Sequence, residues 1–235
     1  AEMVWFGRGG LKKDEVRATQ LIESGLETWR RQASEEGLAS ACHRLGWCHH
    51  FRVGVEEDMS LAIEWYQRAA EQGHCFALYY LGWCYENGHG VDKDHVRAVE
   101  WYQRAADQGH VFAQFNLGWI YHHGEGVEKD LILALKWYQS AADQGDEGAA
   151  TKCVPLKVKV AQMYEKGEGV EKDPFRALLM YEQAADAGNA DAMCHFGRCW
   201  EVGVGVPIDY VRALRYYNKA VDDCSRKLGL EWRKL

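Results

Sequence analysis

Tryptophan and histidine residues recur at a fixed interval in this sequence, and both side chains are suited to binding other molecules. Trp47, Trp83 and Trp119 are spaced 36 residues apart, and His50 and His122 are two such intervals apart. Exposed tryptophan is among the residue types that most often anchor protein interfaces. Tryptophan is also usually largely buried, so the same spacing is compatible with packing between neighbouring helices. The sequence leaves both interpretations open.

The paired histidines are candidates for a metal site. His49–His50 and His122–His123 are sequence neighbours, and adjacent residues on a helix point about 100° apart. Tetrahedral zinc needs three or four converging donors, and His50 and His122 lie two repeats apart, each repeat being about 10 Å thick. We therefore expect no metal and no cofactor, and interpret these histidines as a polar, pH-sensitive rim.

No catalytic motif stands out. Gly88-His89-Gly90 lacks the Gly-Lys-Ser/Thr ending of a phosphate loop, and the chain has neither a Gly-x-Ser-x-Gly elbow nor a His-Glu-x-x-His motif. Cys42–His43 and Cys194–His195 are sequence neighbours, which does not bring a nucleophile and its base together in space. We predict that the protein is not an enzyme.

Internal repeats position these residues. The segment from Leu81 to Asp94 returns as Leu117 to Asp130, an offset of 36 residues. A fixed period of this size indicates a stacked array of structural units. The aspartate that closes each turn recurs at Asp58, Asp94, Asp130, Asp173 and Asp209.

Each repeat is predicted to contain two helices. Apolar and small residues after Asp94 follow the spacing of one helical face. Asp is a favoured helix N-cap, and Asp173-Pro174 places proline at the first helical position. No segment alternates with the period of a strand, so the predicted fold is all-α.

The pattern Ala-x-x-x-Leu-Gly-x-x-Tyr-x-x-Gly-x-Gly-Val-x-x-Asp-x-x-x-Ala-x-x-Trp-Tyr-x-x-Ala-Ala-x-x-Gly stands in Ala77 through Gly109. It resembles the Sel-1-like repeat, over roughly residues 45–224 and more weakly over 1–44. The resemblance implies a right-handed α-α superhelix of antiparallel helix pairs, related to tetratricopeptide arrays. It also implies scaffold or adaptor work for a protein or peptide partner, without naming one.

In such helix pairs the first helix lines a concave groove. Leu81 and Tyr85 point into the stack, so residues on the other side of that helix are expected to face a partner. The surface over 160–202 lacks aromatic anchors. The predicted partner-binding residues are His43, Trp47, His50, Tyr79, Trp83, Glu86, Asn87, Phe115, Trp119, His122 and His123.

We predict one solenoid over residues 1–235. One step between repeats is seven residues longer than the others, within 146–157. We expect a longer connection over 146–154, with Pro155 near a helix start, because an interior proline breaks the backbone ladder. The predicted parts are a half repeat at 1–37, repeats at about 38–73, 74–109, 110–145, 146–188 and 189–224, and a C-terminal cap at 225–235.

Charge and cysteine content restrict the environment and partners. The formal net charge is −7, which disfavours nucleic-acid binding, and no apolar stretch is long enough for direct membrane insertion. Cys48, Cys84 and Cys199 share one slot with Ile120, so we interpret them as packing residues in a reducing, cytoplasmic compartment. The chain begins inside an apparent repeat, and we expect a fragment.

The predicted function is a noncatalytic scaffold or adaptor that binds a protein or peptide in its concave groove. The alternative is a structural or regulatory spacer in a larger protein, such as an enzyme's regulatory arm or a ubiquitin-ligase adaptor. A third interpretation, a small-molecule binder or enzyme, requires a closed pocket with converging polar groups. The sequence does not determine the oligomeric state.

Overall fold

The computed structural model describes residues 15–227, and this part of the chain contains eleven α-helices and no strand. The all-α prediction is confirmed. The described residues form two compact units: unit 1 comprises residues 15–120 and 124–128, and unit 2 comprises residues 121–123 and 129–227. The predictions for residues 1–14 of the half repeat and 228–235 of the cap lie outside the described residues.

Unit 1 begins with a helix of the half repeat and continues with helix pairs. The last helix, α6, has its final three residues in unit 2. The helices are α1 Glu15–Ser34, α2 Ala39–Phe51, α3 Met59–Glu71, α4 Cys75–Asn87, α5 His95–Ala106 and α6 Val111–His123.

Unit 2 continues the alternation of first and second helices, so that even-numbered helices are first and odd-numbered helices are second in their pair. Its helices are α7 Leu131–Asp143, α8 Glu147–Lys166, α9 Pro174–Asp186, α10 Ala190–Val202 and α11 Tyr210–Lys227.

The predicted aspartate caps are present. The side chain of Asp94 accepts a hydrogen bond from the backbone N–H of Arg97 at 3.0 Å, and Asp173 caps α9 in the same way with Pro174 directly after it. These carboxylates satisfy amide groups that have no partner within the first helical turn. The sequence therefore fixes where each second helix begins.

A tyrosine of the second helix packs directly on a glycine of the first helix at Gly46, Gly82 and Gly197. The same slot of α8 holds Ala161. A Cβ atom on Gly82 would lie 2.6 Å from Cδ1 of Tyr102, and one on Gly46 would lie 2.7 Å from Cδ1 of Tyr66. Both tyrosines are fully buried. At these two glycines a side chain would occupy the space of the ring.

The small-residue and cysteine slots are buried as predicted. Ala98, Ala134 and Ala177 are fully buried, and so are Cys84 and Cys199. Burial raises the pKa of the Cys84 thiol to about 12, so this cysteine is a neutral packing group. All eight cysteines lie in the described part of the chain and are free thiols.

The predicted connection over 146–154 is wrong. Residues 147–166 form one continuous helix, α8, with Pro155 inside it. Seven residues make nearly two complete helical turns, so the insertion returns the apolar face to its original direction. Leu156 and Val160 are buried on that face. Burying two such side chains contributes about 1.5–3 kcal/mol each, which offsets the cost of about 3 kcal/mol for an interior proline.

The substitution Gly82→Ala tests the contact between glycine and tyrosine. Helix propensity alone predicts that alanine stabilises the helix by about 1 kcal/mol. Displacement of the Tyr102 ring predicts the opposite, a loss of about 1–3 kcal/mol through overpacking. We expect a net decrease in the free energy of unfolding, measured by urea denaturation. An unchanged or increased stability would contradict the close approach.

Candidate functional site

Six aromatic residues occupy equivalent positions on two successive first helices of unit 1. On each helix they follow the spacing i, i+3 and i+7, so they share one side. The buried residues Ala77 and Leu81 lie on a different side of α4. We call this surface the aromatic face: Phe76, Tyr79 and Trp83 of α4, with Phe112, Phe115 and Trp119 of α6.

The two rows of the aromatic face contact each other. The ring centroid of Tyr79 lies 6.2 Å from that of Phe112 and stacks at 4.6 Å on His110. Phe76 meets the same His110 edge-on at 5.0 Å. Phe76 is 43% exposed and Phe112 is 45% exposed. Large apolar rings therefore remain open to solvent on a surface whose geometry is held by ring contacts.

Polar groups surround Trp83 at the end of α4. Its indole stacks on the exposed His89 with centroids 4.5 Å apart and an interplanar angle of 6°. The Asn87 side chain donates a hydrogen bond to the Trp83 carbonyl at 2.9 Å. His89 was not among the predicted partner-binding residues, because its position in a turn gave no helical spacing that linked it to Trp83.

Glu86 and His50 have a structural partner that the sequence analysis missed. The Tyr102 hydroxyl donates to Glu86 Oε2 at 2.6 Å, and the Tyr66 hydroxyl lies 3.2 Å from His50 Nδ1. Each pair is separated by 16 residues. In unit 2, Tyr181 donates to Glu165 and Tyr217 to Glu201 with the same separation. This recurring separation was the available signal in the sequence.

The histidine at the equivalent slot, His122, and its neighbour His123 lie in unit 2. The ring of His122 packs edge-on 6.3 Å from Tyr138, which is 16 residues later, and 4.9 Å from His123. Burial, followed by the charge of His123, lowers the pKa of His122. His123 is exposed. His122 therefore packs on the tyrosine of the next helix, as His50 does in unit 1.

The expectation that His43 and Trp47 face a partner is wrong, because both side chains are buried. Trp47 is 2% exposed, with its ring 5.2 Å from that of Phe51. His43 is 5% exposed and stacks on His74 at 4.6 Å. Ring packing removes these side chains from the solvent. They support the neighbouring aromatic residues from within unit 1.

Two histidines of unit 1 cap first helices. His74 Nδ1 accepts from the Ala77 backbone N–H at 3.4 Å, and His110 Nδ1 accepts from that of Ala113 at 3.3 Å. Only an unprotonated ring nitrogen can accept. Burial, followed by the charge of Arg44, lowers the pKa of His74. The beginnings of α4 and α6 therefore depend on neutral imidazoles.

Unit 2 carries a polar cavity between α8 and α10. Gln162 Nε2 lies 2.9 Å from His195 Nε2, and the His195 ring stacks on Tyr181. Two of the polar groups in the cavity are thus already engaged with each other. The cavity has a volume of about 320 Å³ and is lined by Pro155, Val158, Lys159, Gln162, Asn189, Asp191, Cys194 and His195.

Two further properties concern the described residues as a whole. Among residues 15–227, no three side chains of His, Cys, Asp or Glu are grouped to hold a metal ion. No helix in the described part of the chain has the length and apolar character needed to span a bilayer.

Paired helices at a 36-residue period, with buried glycine–tyrosine contacts and helix-capping aspartates, define an α-helical repeat protein of the solenoid class. The Sel1 repeat model matches residues 1–25, 39–74, 75–110, 111–146, 158–189 and 190–223. The chain belongs to the Sel1 repeat family. The unmatched residues 147–157 coincide with the lengthened part of α8.

Solved structures support the same assignment. A Sel1 repeat protein from Oxalobacter formigenes is 30% identical, with a TM-score of 0.53, and the match covers 91% of this chain and 87% of that one. A protective antigen of uropathogenic Escherichia coli with an SLR fold is 30% identical, with a TM-score of 0.56, and covers 94% of this chain and 44% of that one. No curated protein matches the chain.

Family membership indicates a general class of function. Sel1 repeats are protein-interaction modules, and proteins built from them commonly mediate protein–protein interaction. They are typically noncatalytic scaffolds.

The buried histidines of unit 1 predict a pH-dependent stability. Burial, followed by the charges of His74, Arg44 and His110, lowers the pKa of His43 from 6.5 to about 3. Burial, followed by the charge of His89, lowers that of His50 to about 4. The folded-state pKa values lie below the unfolded value, so the stabilisation is complete above about pH 6.5 and decreases as the pH falls towards 4. Each histidine contributes a slope of about 1.4 kcal/mol per pH unit in this window.

Urea denaturation at pH 7, 6 and 5 measures this slope. The variant His43→Phe keeps a ring among the neighbouring aromatic residues but cannot be protonated, so we expect its slope to be smaller by about 1.4 kcal/mol per pH unit. The matched control is His123→Phe, at an exposed position, and should keep the parent slope. Equal slopes in all three proteins would show that His43 is not held neutral by the fold.

Proposed function

We propose that the protein is a noncatalytic scaffold that binds a segment of another protein across the first helices of unit 1, with the aromatic face as the anchor. The observation that carries the proposal is the pair of equivalent rows on α4 and α6. Phe76 and Phe112 head these rows and are each more than 40% exposed. Open aromatic rings at fixed positions have the character of interface hot spots.

The surroundings of the aromatic face support this proposal. Interfaces combine an apolar centre with a polar rim, and Asn87 and His89 place polar groups beside Trp83 at the end of α4. The rings of Phe76, Tyr79 and Phe112 are held by contacts with His110 and between Tyr79 and Phe112. A partner would therefore meet side chains that are already ordered, which reduces the entropy lost on binding.

The proposed binding set differs from the one expected from sequence. Phe76 and Phe112 join Tyr79, Trp83, Phe115 and Trp119, while the buried His43 and Trp47 become supporting residues. Glu86 and His50 hold tyrosine hydroxyls. The partner is expected to present apolar or aromatic side chains, because these match the rings and need no charged counterpart.

A peptide library provides a probe that does not require knowledge of the natural partner. Random peptides displayed on phage are selected on the whole chain, and the selected peptide is titrated by calorimetry. The double variant Trp83→Ala, Trp119→Ala should weaken binding by about 2 kcal/mol or more, which is roughly 30-fold in Kd. Far-UV circular dichroism should show unchanged helical content.

The matched control is Trp65→Ala, Trp101→Ala. These tryptophans have the same 36-residue spacing and are also partly exposed in unit 1, but they lie on the second helices α3 and α5. Binding should survive in the control. An equal loss in both double variants, or no loss in the first, would rule out the aromatic face as the binding surface.

A further inference from the structure

Unit 2 carries a second cavity, which is lined by the second helices α7 and α9 and by α8. Its volume of about 580 Å³ lies within the size range of small-molecule sites. Leu135 and Met180 supply apolar surface from α7 and α9, and Tyr164 supplies a ring from α8. Leu135 and Tyr164 are almost fully buried, so the inner wall of the cavity belongs to the packed core. The cavity shares no lining residue with the one beside His195.

A departure from the repeat pattern explains this space. The slot that Met180 occupies holds tryptophan in the three preceding repeats, at Trp65, Trp101 and Trp137. In α5 the Arg104 guanidinium lies 4.7 Å from the Trp101 ring centroid and donates a hydrogen bond to the Ala70 carbonyl of α3 at 3.1 Å. The slot of Arg104 in α9 holds Gln183, whose side chain makes no hydrogen bond to another described residue. The tryptophan–arginine bridge from α5 to α3 therefore has no counterpart between α9 and α7.

Positive charges predominate around the cavity. Three cationic side chains, Lys136, Lys157 and Arg176, line it together with one carboxylate, Asp143. This carboxylate already accepts a hydrogen bond from Gln139 at 2.7 Å. None of the three cations forms an ion pair within residues 15–227. An anionic group that enters the cavity therefore meets unpaired positive charges, although the net charge of the whole chain is −7.

Arg176 differs from its counterpart in α5. The Arg97 guanidinium pairs with the carboxylate of the capping residue Asp94 at 3.4 Å. Arg176 contacts its own cap, Asp173, through the backbone N–H, and its guanidinium lies 4.6 Å from the ring centroid of Tyr164. A guanidinium group is suited to binding a carboxylate through two parallel hydrogen bonds. The cavity thus combines apolar walls with a carboxylate-binding group beside an aromatic ring.

We propose that unit 2 binds a small aromatic carboxylate in this cavity. The ring of the ligand takes the place that an indole fills in the preceding repeats, next to Leu135 and Met180, and Arg176 and the two lysines bind its carboxylate. This site goes beyond the proposed binding of a protein segment, because every lining residue lies in unit 2 and none belongs to the aromatic face. Its failure would therefore leave the proposal for α4 and α6 unaffected.

Indoleacetate and indoleacetamide are matched probes, because they share a ring and differ in charge. Each is titrated into the whole chain labelled with ¹³C in the methionine methyl groups. The Met180 signal, assigned by its disappearance in Met180→Trp, should shift saturably with indoleacetate, and the Met59 signal of unit 1 should not. Indoleacetamide should bind at least about 10-fold more weakly, because it cannot form the charge-assisted contacts with Arg176.

Substitutions of lining residues test the ring site and the charge site separately. Met180→Trp restores the indole of the preceding repeats and should lower the affinity for indoleacetate at least about 10-fold, measured by calorimetry. The control Leu179→Trp adds the same side chain at the next position of α9, which is 40% exposed, and should bind like the parent. Arg176→Gln should weaken indoleacetate and leave indoleacetamide unchanged. Lys152→Gln, at an exposed lysine of α8 outside the cavity, should change neither.

Three results would overturn the proposal. The first is a Met180 signal that does not shift in the parent, which is decisive even if Met180→Trp does not fold. The second is equal affinity for the two probes, and the third is equal affinity of the parent and a folded Met180→Trp for indoleacetate. The double variant Trp83→Ala, Trp119→Ala should bind indoleacetate like the parent, and a loss of binding there would place the probe on the aromatic face instead.

Discussion

The helix pairs of unit 1 depend on the contact between a first-helix glycine and a second-helix tyrosine. The absence of a side chain at Gly82 lets the Tyr102 ring lie against the backbone of α4, and the ring is completely buried there. A buried phenol must also satisfy its hydroxyl group. Glu86, one helical turn after Gly82, accepts that hydrogen bond. Burial, followed by the charge of Glu86, raises the pKa of Tyr102 and keeps the phenol protonated as a donor.

The first helix of a pair has one side that packs within the repeat and another that is available for binding. One side of α4 carries Gly82 and the apolar residues that pack within the repeat, and another carries Phe76, Tyr79 and Trp83. Tyr79 of the aromatic face also lies 5.8 Å from the Tyr102 ring, but the glycine–tyrosine contact does not require an aromatic residue at that position. In α10 the slots of Tyr79 and Trp83 hold Cys194 and Arg198, while Gly197 still lies against Tyr217. Surface residues thus differ between α4 and α10, while the glycine–tyrosine contact is present in both.

The sequence predicted the helices, their aspartate caps and the buried alanines, because these follow from local spacing. It did not predict that Pro155 lies within α8. The insertion adds nearly two helical turns and so keeps Leu156 on the buried face, and this burial outweighs the local preference of proline for a helix start. Nor did it separate Trp47 from Trp83, whose spacing is identical. That difference depends on neighbouring rings such as Phe51 and His89. The acceptor role of Glu86 was accessible as a 16-residue separation, but only once the tyrosine was known to be buried.

A double-mutant cycle between Tyr102 and Glu86 tests most directly the claim that the ring buried against Gly82 needs Glu86 to satisfy its hydroxyl group. The free energy of unfolding is measured for the parent, Tyr102→Phe, Glu86→Gln and the combined variant. A hydrogen bond to a charged group contributes about 1.5–3 kcal/mol. Glutamine can still accept a weaker bond from Tyr102, so the expected coupling energy between the two sites is smaller, at least about 1 kcal/mol. Additive effects, with no coupling energy, would show that packing on Gly82 alone holds the tyrosine and would contradict the role assigned to Glu86.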